Sequence, residues 1–286
     1  MALVGACFCI AFTFGPALGA WLSTISSVVA NPFATAAGFS LFLIVAETLY
    51  LYMCLPETLP SKVESQANGN GAAKAKTVPT SAQKVEGRTR TNSHIILNFT
   101  HFAFILFFSG MEFSLPFMTF DLFGYDASKN GRLLGYMGLI ASILQGGVTR
   151  RLPPLLSIRL GVVSCLASFI MLARIQTTSG LYGAATLLAV TTATVVTGLN
   201  ALSSFEAGEN ERGGKLGNLR SWGQIGRATG PIAFCSLYWW AGREVAYLIG
   251  GSGMLFVTGL VFTSLKTPKG TEKVKVRDVK ADHVEL

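Results

Sequence analysis

Eight stretches of mostly apolar residues, each near the length that crosses a hydrocarbon core, limit what this chain can fold into. A membrane-spanning helix takes about 20 such residues. The stretches cover about 2–25, 33–53, 94–118, 131–149, 155–173, 180–202, 218–240 and 245–265. Short polar or Gly/Pro breaks separate most of them, such as Asn31-Pro32, Asp126 to Asn130, and Pro153-Pro154. With 13% charged residues and a mean hydropathy of +0.48, the chain is too apolar for a soluble domain. The sequence therefore predicts an all-α membrane protein with eight transmembrane helices.

The net charge of +8 would suit a nucleic-acid binder, but the charges are placed otherwise. Most Lys and Arg lie between or after the apolar stretches, so nucleic acid is excluded as a partner and the bilayer takes its place. Cys7, Cys9, Cys54, Cys165 and Cys235 fall in or at the ends of apolar stretches. They read as small hydrophobes, not as a disulfide frame or metal site.

From Pro56 to Ser93 the chain is rich in Lys, Ala, Ser, Thr, Gln, Asn and Gly, with almost no large apolar residue after Leu59. Such a segment buries too little to fold and is expected to be a linker. The charged tail from Lys266 to Leu286 is expected to be solvated. Four segments follow: residues 1–53, the linker 54–93, a six-helix bundle 94–265, and the tail 266–286. The first span has no basic n-region, contains Gly15-Pro16 and is followed at once by another span, so it is not a signal peptide. With eight spans, 18 of the 23 Lys and Arg fall on the side of the linker and termini; four fall opposite, and Arg227 lies inside a span. Basic residues stay cytoplasmic, which predicts linker and termini on that side.

The first span carries Gly15-Pro16-Ala17-Leu18-Gly19-Ala20, and the seventh carries Gly223, Gly226 and Gly230-Pro231. A Gly-Pro recurring six helices apart is what two similar six-helix halves produce. Here the chain resembles the major facilitator superfamily. Phe14 to Gly19 resembles the drug:proton antiporter signature of its fifth helix, with Ala20 where a second Gly is usual. Leu55-Pro56-Glu57-Thr58-Leu59 is similar to the segment closing its sixth helix. Phe108 to Phe113, Gln145-Gly146-Gly147 through Arg150-Arg151, and Gly217 to Ser221 through Pro231 resemble its tetracycline-transporter-like, organic-anion-transporting branch in animals. The resemblance implies a major-facilitator-type bundle whose eight helices are helices five to twelve, the first four being absent, as in a truncated gene model or isoform. It also implies that Arg150 and Arg151 belong to the C-half counterpart of a cytoplasmic gating loop; simple positive-inside anchoring is the other reading.

Ionisable groups inside a span cost roughly 2.5–3.5 kcal/mol on insertion scales and need a reason. Glu112 lies about two-thirds along the third span; a carboxylate withdrawn from water there can take up a proton, as a proton-coupled carrier requires. The other reading is an outer-end Glu wetted by a cavity mouth. Arg227, in the middle of the seventh span, could bind an organic anion or pair with Glu112. Glu47, near the cytoplasmic end of the second span, reads as a snorkelling side chain. His101 reads as an interfacial His or a proton relay. Asn98-Phe99-Thr100 matches a glycosylation sequon at an unfavourable membrane edge. Gln145, Asn200 and Gln224 either line a cavity or hydrogen-bond between helices. Gly15, Pro16 and Gly19, like Gly226, Gly230 and Pro231, read as close-packing and hinge positions.

No phosphate-cradling Gly-Lys-Ser/Thr loop, paired-His metal spacing or nucleophile elbow is present in the sequence, so no enzyme and no cofactor is expected. The leading functional expectation is a secondary transporter of small organic, anionic or amphipathic solutes, with protons as a coupling ion. The alternative is a truncated, non-transporting membrane protein that binds or regulates a partner.

Overall fold

The computed structural model describes residues 2–24, 31, 33–56, 91–208 and 211–268. The body of the expected linker and most of the expected tail lie outside these residues. Eight α-helices follow in order: α1 (Ala2–Thr24), α2 (Ala34–Cys54), α3 (His94–Phe123), α4 (Ala127–Ile143), α5 (Pro154–Ala173), α6 (Thr178–Glu206), α7 (Arg212–Ala241) and α8 (Arg243–Ser264). No strand occurs among the described residues. Each predicted span corresponds to one helix, and α3, α6 and α7 extend beyond the apolar stretch into polar residues.

By length and apolar composition alone, α2, α3, α5, α6 and α8 qualify as membrane spans. Two of the others depart for visible reasons. The N-terminal half of α7 carries Arg212, Lys215 and Arg220 before Arg227. α4 is regular for only 17 residues, then passes into a π-helical turn (Leu144–Val148) and a 3-10 turn (Thr149–Arg151). The expected break at Asp126 to Asn130 is shorter than predicted. Asp126 is an N-cap whose carboxylate accepts the Lys129 N–H at 2.8 Å, so the helix starts at Ala127.

Contacts divide the chain into two compact units, Met1–Trp21 with Arg90–Leu286, and Leu22–Thr89. The boundary falls within the last turn of α1, between Trp21 and Leu22. In the larger unit α1 lies against α4 because Gly131 has no side chain: a methyl there would stand 2.8 Å from Ala20 Cβ and 3.1 Å from the Pro16 carbonyl oxygen. Gly15 and Gly19, expected as packing positions, meet nothing within 4 Å; the close approach is made from the other helix. In the second unit α2 buries none of its residues, and its Ser40 and Thr48 hydroxyls turn back to the Ala36 and Ile44 carbonyls. Those bonds leave an apolar shaft, which suits lipid.

The core of the larger unit is built from buried residues of α3 to α8. Its centre is aromatic: Phe169 of α5, Phe234 of α7 and Tyr247 of α8 meet with ring centroids 5.3–6.1 Å apart. The Tyr247 hydroxyl is buried but shares a 3.0 Å hydrogen bond with Ser114 of α3. That bond is what lets a tyrosine occupy the centre of an apolar bundle.

Candidate functional site

α3 and α7 pack along much of their length, and the glycines of α7 explain how. A methyl at Gly226 would stand 2.6 Å from the Phe102 carbonyl oxygen, and one at Gly230 would collide with the Leu106 carbonyl and the Ser109 hydroxyl. From the other side, a methyl at Gly110 would stand 2.9 Å from the Gly230 carbonyl oxygen. Backbone lies on backbone, as small-xxx-small helix faces allow. Successive contacts advance together along both helices, so α3 and α7 run parallel.

One ion pair spans this seam. Arg227 donates from Nη2 to Glu112 Oε2 at 3.3 Å. The Glu112 side chain is 13% exposed and that of Arg227 40%, so the carboxylate is nearly enclosed while the guanidinium keeps an open face. Each partner also stands four residues before a proline inside its own helix, Pro116 after Glu112 and Pro231 after Arg227. Proline has no N–H, so the carbonyls of Glu112 and Arg227 lack their normal helical donor. The two helices are joined by opposite charges at the turns where each is locally weakened.

Phe102 and Trp222 meet edge-on at 6.0 Å on one side of the pair, and Phe117 and Trp239 at 6.2 Å on the other. Gln224, three residues before Arg227, is exposed. Together these groups offer one accessible cation, one carboxylate, an amide and two aromatic pairs along a single seam. Chemically, that set can hold an amphipathic anion, with the guanidinium as counter-ion and the rings taking apolar parts.

The remaining candidates are dispersed. His101 is buried, not interfacial: its Nδ1–H donates to the Leu219 carbonyl at 2.8 Å, and its ring lies over Gly223 where a side chain would stand. It pins α3 to α7. Gln145 sits in the π-helical turn and donates from Nε2 to Thr197 Oγ1 on α6 at 2.8 Å. Asn200 is half-buried on α6. Arg150 and Arg151 are exposed on the 3-10 turn and make no ion pair among the described residues. Glu47 is exposed on α2. Asn98 is buried, and the Thr100 hydroxyl of its sequon is turned to the Ile96 carbonyl at 2.7 Å.

Sequence reasoning passed over two polar ties. Tyr238 of α7 donates its hydroxyl to Asp121 of α3 at 2.9 Å, closing the seam at the far end from His101. Glu206, at the last turn of α6, receives the backbone N–H of Thr91 and Asn92. Asp121 and Glu206 could have been noticed as acids within long apolar helices.

The parallel helix pair, the charges within apolar helices and the apolar bundle describe a polytopic membrane protein. A family model for the Major Facilitator Superfamily matches residues 1–231, and the chain belongs to that superfamily. Among its relatives, the Major facilitator superfamily domain-containing protein 10 of Mus musculus is 28% identical over 287 residues, and that of Homo sapiens 26% over 289. Both alignments take in 96% of this chain, which spans 61% of the length of these relatives. Among solved structures, the human organic anion transporter MFSD10 (TETRAN) superposes with a TM-score of 0.69 at 23% identity, over 91% of this chain and 62% of that one. A peptide transporter in complex with alafosfalin superposes at 0.51 and 15% identity, over 71% of this chain and 48% of that one. These likenesses establish the fold of a membrane transporter, and the relatives are not enzymes.

Proposed function

We propose that the chain serves secondary active transport of small organic anions or amphipathic solutes by alternating access, coupled to protons, with α1–α8 corresponding to helices five to twelve of the superfamily. The observation that carries this reading is the Glu112–Arg227 pair, 3.3 Å apart across α3 and α7 with the guanidinium open on one face. A solute carboxylate or sulfonate arriving there competes with Glu112 for Arg227. Once displaced, Glu112 is a nearly enclosed carboxylate without its counter-ion and takes up a proton. Anion and proton then occupy the site together, and the link between the two weakened turns is broken. The printed name of the human structural neighbour, an organic anion transporter, supports the same solute class. The clustering of basic residues in the sequence supports a cytoplasmic side for the linker and termini.

The test is uptake of a labelled aromatic carboxylate by the full-length protein in proteoliposomes, under imposed pH gradients of either sign. Arg227→Ala should raise the apparent KM at least tenfold. Glu112→Gln should bind solute but lose acceleration by the gradient. Wild-type rates and pH dependence in both variants would overturn the reading.

A further inference from the structure

Among the described residues, the buried side-chain groups of the larger unit that lack a hydrogen bond lie at one end. In the outer half and at mid-depth, away from the end where α3 begins and α6 ends, the buried hydroxyls are satisfied. Ser114 bonds the Met111 carbonyl and Tyr247, Thr119 bonds Asn130 at 2.6 Å, Ser168 bonds the Ala184 carbonyl, and Thr191 bonds the Gly161 carbonyl. At the opposite end Thr100, His101 and Gln145 are bonded as well, but other buried groups are not. Asn98 Oδ1 on α3, Thr149 Oγ1 after α4, Ser157 Oγ on α5, and Asn200 Oδ1 and Ser203 Oγ on α6 are buried with no hydrogen-bond partner among the described residues. Each such group costs about 1–3 kcal/mol relative to a satisfied one, and water would recover that cost. Five of them at one end favour a state in which that end is wet.

Something must hold that end closed, and one polar tie there joins three chain segments. Glu206, 8% exposed, accepts the Thr91 N–H at 2.9 Å, the Asn92 N–H at 3.0 Å and Asn92 Nδ2 at 2.7 Å. The Asn92 amide also donates to the Lys266 carbonyl at 2.8 Å and accepts the Lys266 N–H at 2.7 Å. Asn92, 3% exposed, therefore treats the segment after α8 as one peptide treats another across a ladder. Two side chains clasp the entry to α3, the end of α6 and the exit from α8. Bonds to a carboxylate are among the stronger hydrogen bonds, and this one receives three.

We propose that Asn92 and Glu206 are positioning residues of the transport cycle: their clasp holds shut the end of the bundle where α3 begins, and its release admits water to the unpaired groups and opens the inner mouth. The clasp and the unpaired polar groups oppose one another. The first favours the closed end and the second the open one, which gives that end two states instead of a single well. This rests on the carrier reading for its meaning in transport, but the opening itself is measured without solute.

The experiment is hydrogen–deuterium exchange on the full-length protein in detergent, comparing wild type with Asn92→Ser, Glu206→Gln and each of these combined with Asn200→Leu. Releasing the clasp should speed exchange in residues 155–161 of α5, which the clasp does not touch, by roughly tenfold, the equivalent of one lost buried hydrogen bond. Residues 112–121 and 182–192 should keep their wild-type rates. Asn200→Leu, by removing an unpaired group, should restore slow exchange in the clasp-broken background. Acceleration at both ends alike would show a merely structural tie and overturn the proposal, as would no change at residues 155–161. Asn92→Ser retains the backbone bonds to Glu206, so it reads the same outcome if Glu206→Gln does not fold. If anion uptake fails its own test while this exchange pattern holds, the carrier reading falls and the two-state end stands.

Discussion

Glu112 and Arg227, the two partners of the intramembrane ion pair, each stand one turn before a proline in parallel helices. The pair ties α3 to α7 where both backbones lack a hydrogen bond. Breaking it changes two helices at once, at matching depth, which a charge pair on regular helices would not do.

This arrangement predicts that losing one charge is worse than losing both. Arg227→Gln alone leaves an enclosed carboxylate without a counter-ion, whereas Glu112→Gln with Arg227→Gln leaves two amides able to bond one another. The double variant should melt above the Arg227→Gln single variant in a detergent thermal-unfolding assay. With Arg227 partly open to solvent, the coupling is expected at about 1 kcal/mol. A double variant less stable than the single would count against the pair as the relevant link.

The seam itself should tolerate no side chain. Gly226→Ala places a methyl 2.6 Å from the Phe102 carbonyl oxygen. Overpacking of this kind costs about 1–3 kcal/mol. Gly15→Ala, at a position with nothing within 4 Å, should be neutral or slightly stabilising. Fluorescence-detected gel filtration after graded heating would rank the two.

Removing the imidazole of His101 should loosen the same seam at its other end. His101→Ala loses the 2.8 Å bond to the Leu219 carbonyl and leaves a void over Gly223. A loss of about 2–4 kcal/mol is expected. His101→Asn, which keeps a donor but not the ring, should recover only part of it. Thermal unfolding of the three proteins side by side checks the order.

The hydroxyl of Tyr238 should matter less. Tyr238→Phe keeps the ring and its contact with Trp239 but forfeits the bond to Asp121. The expected cost is about 1–2 kcal/mol, toward the upper value because the acceptor is charged. An Asp121→Asn variant should show a similar loss, and the two together should be less than additive.

Much of this architecture was legible in the residues. Apolar length located all eight helices, and Glu112 and Arg227 were conspicuous because charge inside a span needs a reason. The superfamily membership followed from the order of short motifs such as Phe14 to Gly19 and Gln145 to Arg151. Less legible were features defined only by what comes together in space. Asn92, Glu206 and Lys266 are ordinary residues at three segment ends, and nothing local in any of them signals the others. Gly131 bears the close approach to α1, while the more conspicuous Gly15 and Gly19 face open space, because glycine marks room given up without naming which partner gives it. The π-helical turn at Leu144–Val148 has a composition that suits a regular helix equally well, so composition could not foretell it. His101 looked interfacial from its place in the chain, yet Gly223 opens a slot that takes its ring inside.

The bare contact of α3 and α7 carries a kinematic consequence. Where carbonyls are set against glycine Cα atoms, at Gly226 and Gly230, the two rods have little compliant side-chain layer between them. Twisting either about its own axis would drive a side chain from its flank into the other's backbone. The motions left to the pair are flexing together at Pro116 and Pro231, or travelling as a single beam. A ligand that shifts one of these helices therefore shifts both, and the larger unit needs no further device to convey the displacement along its depth.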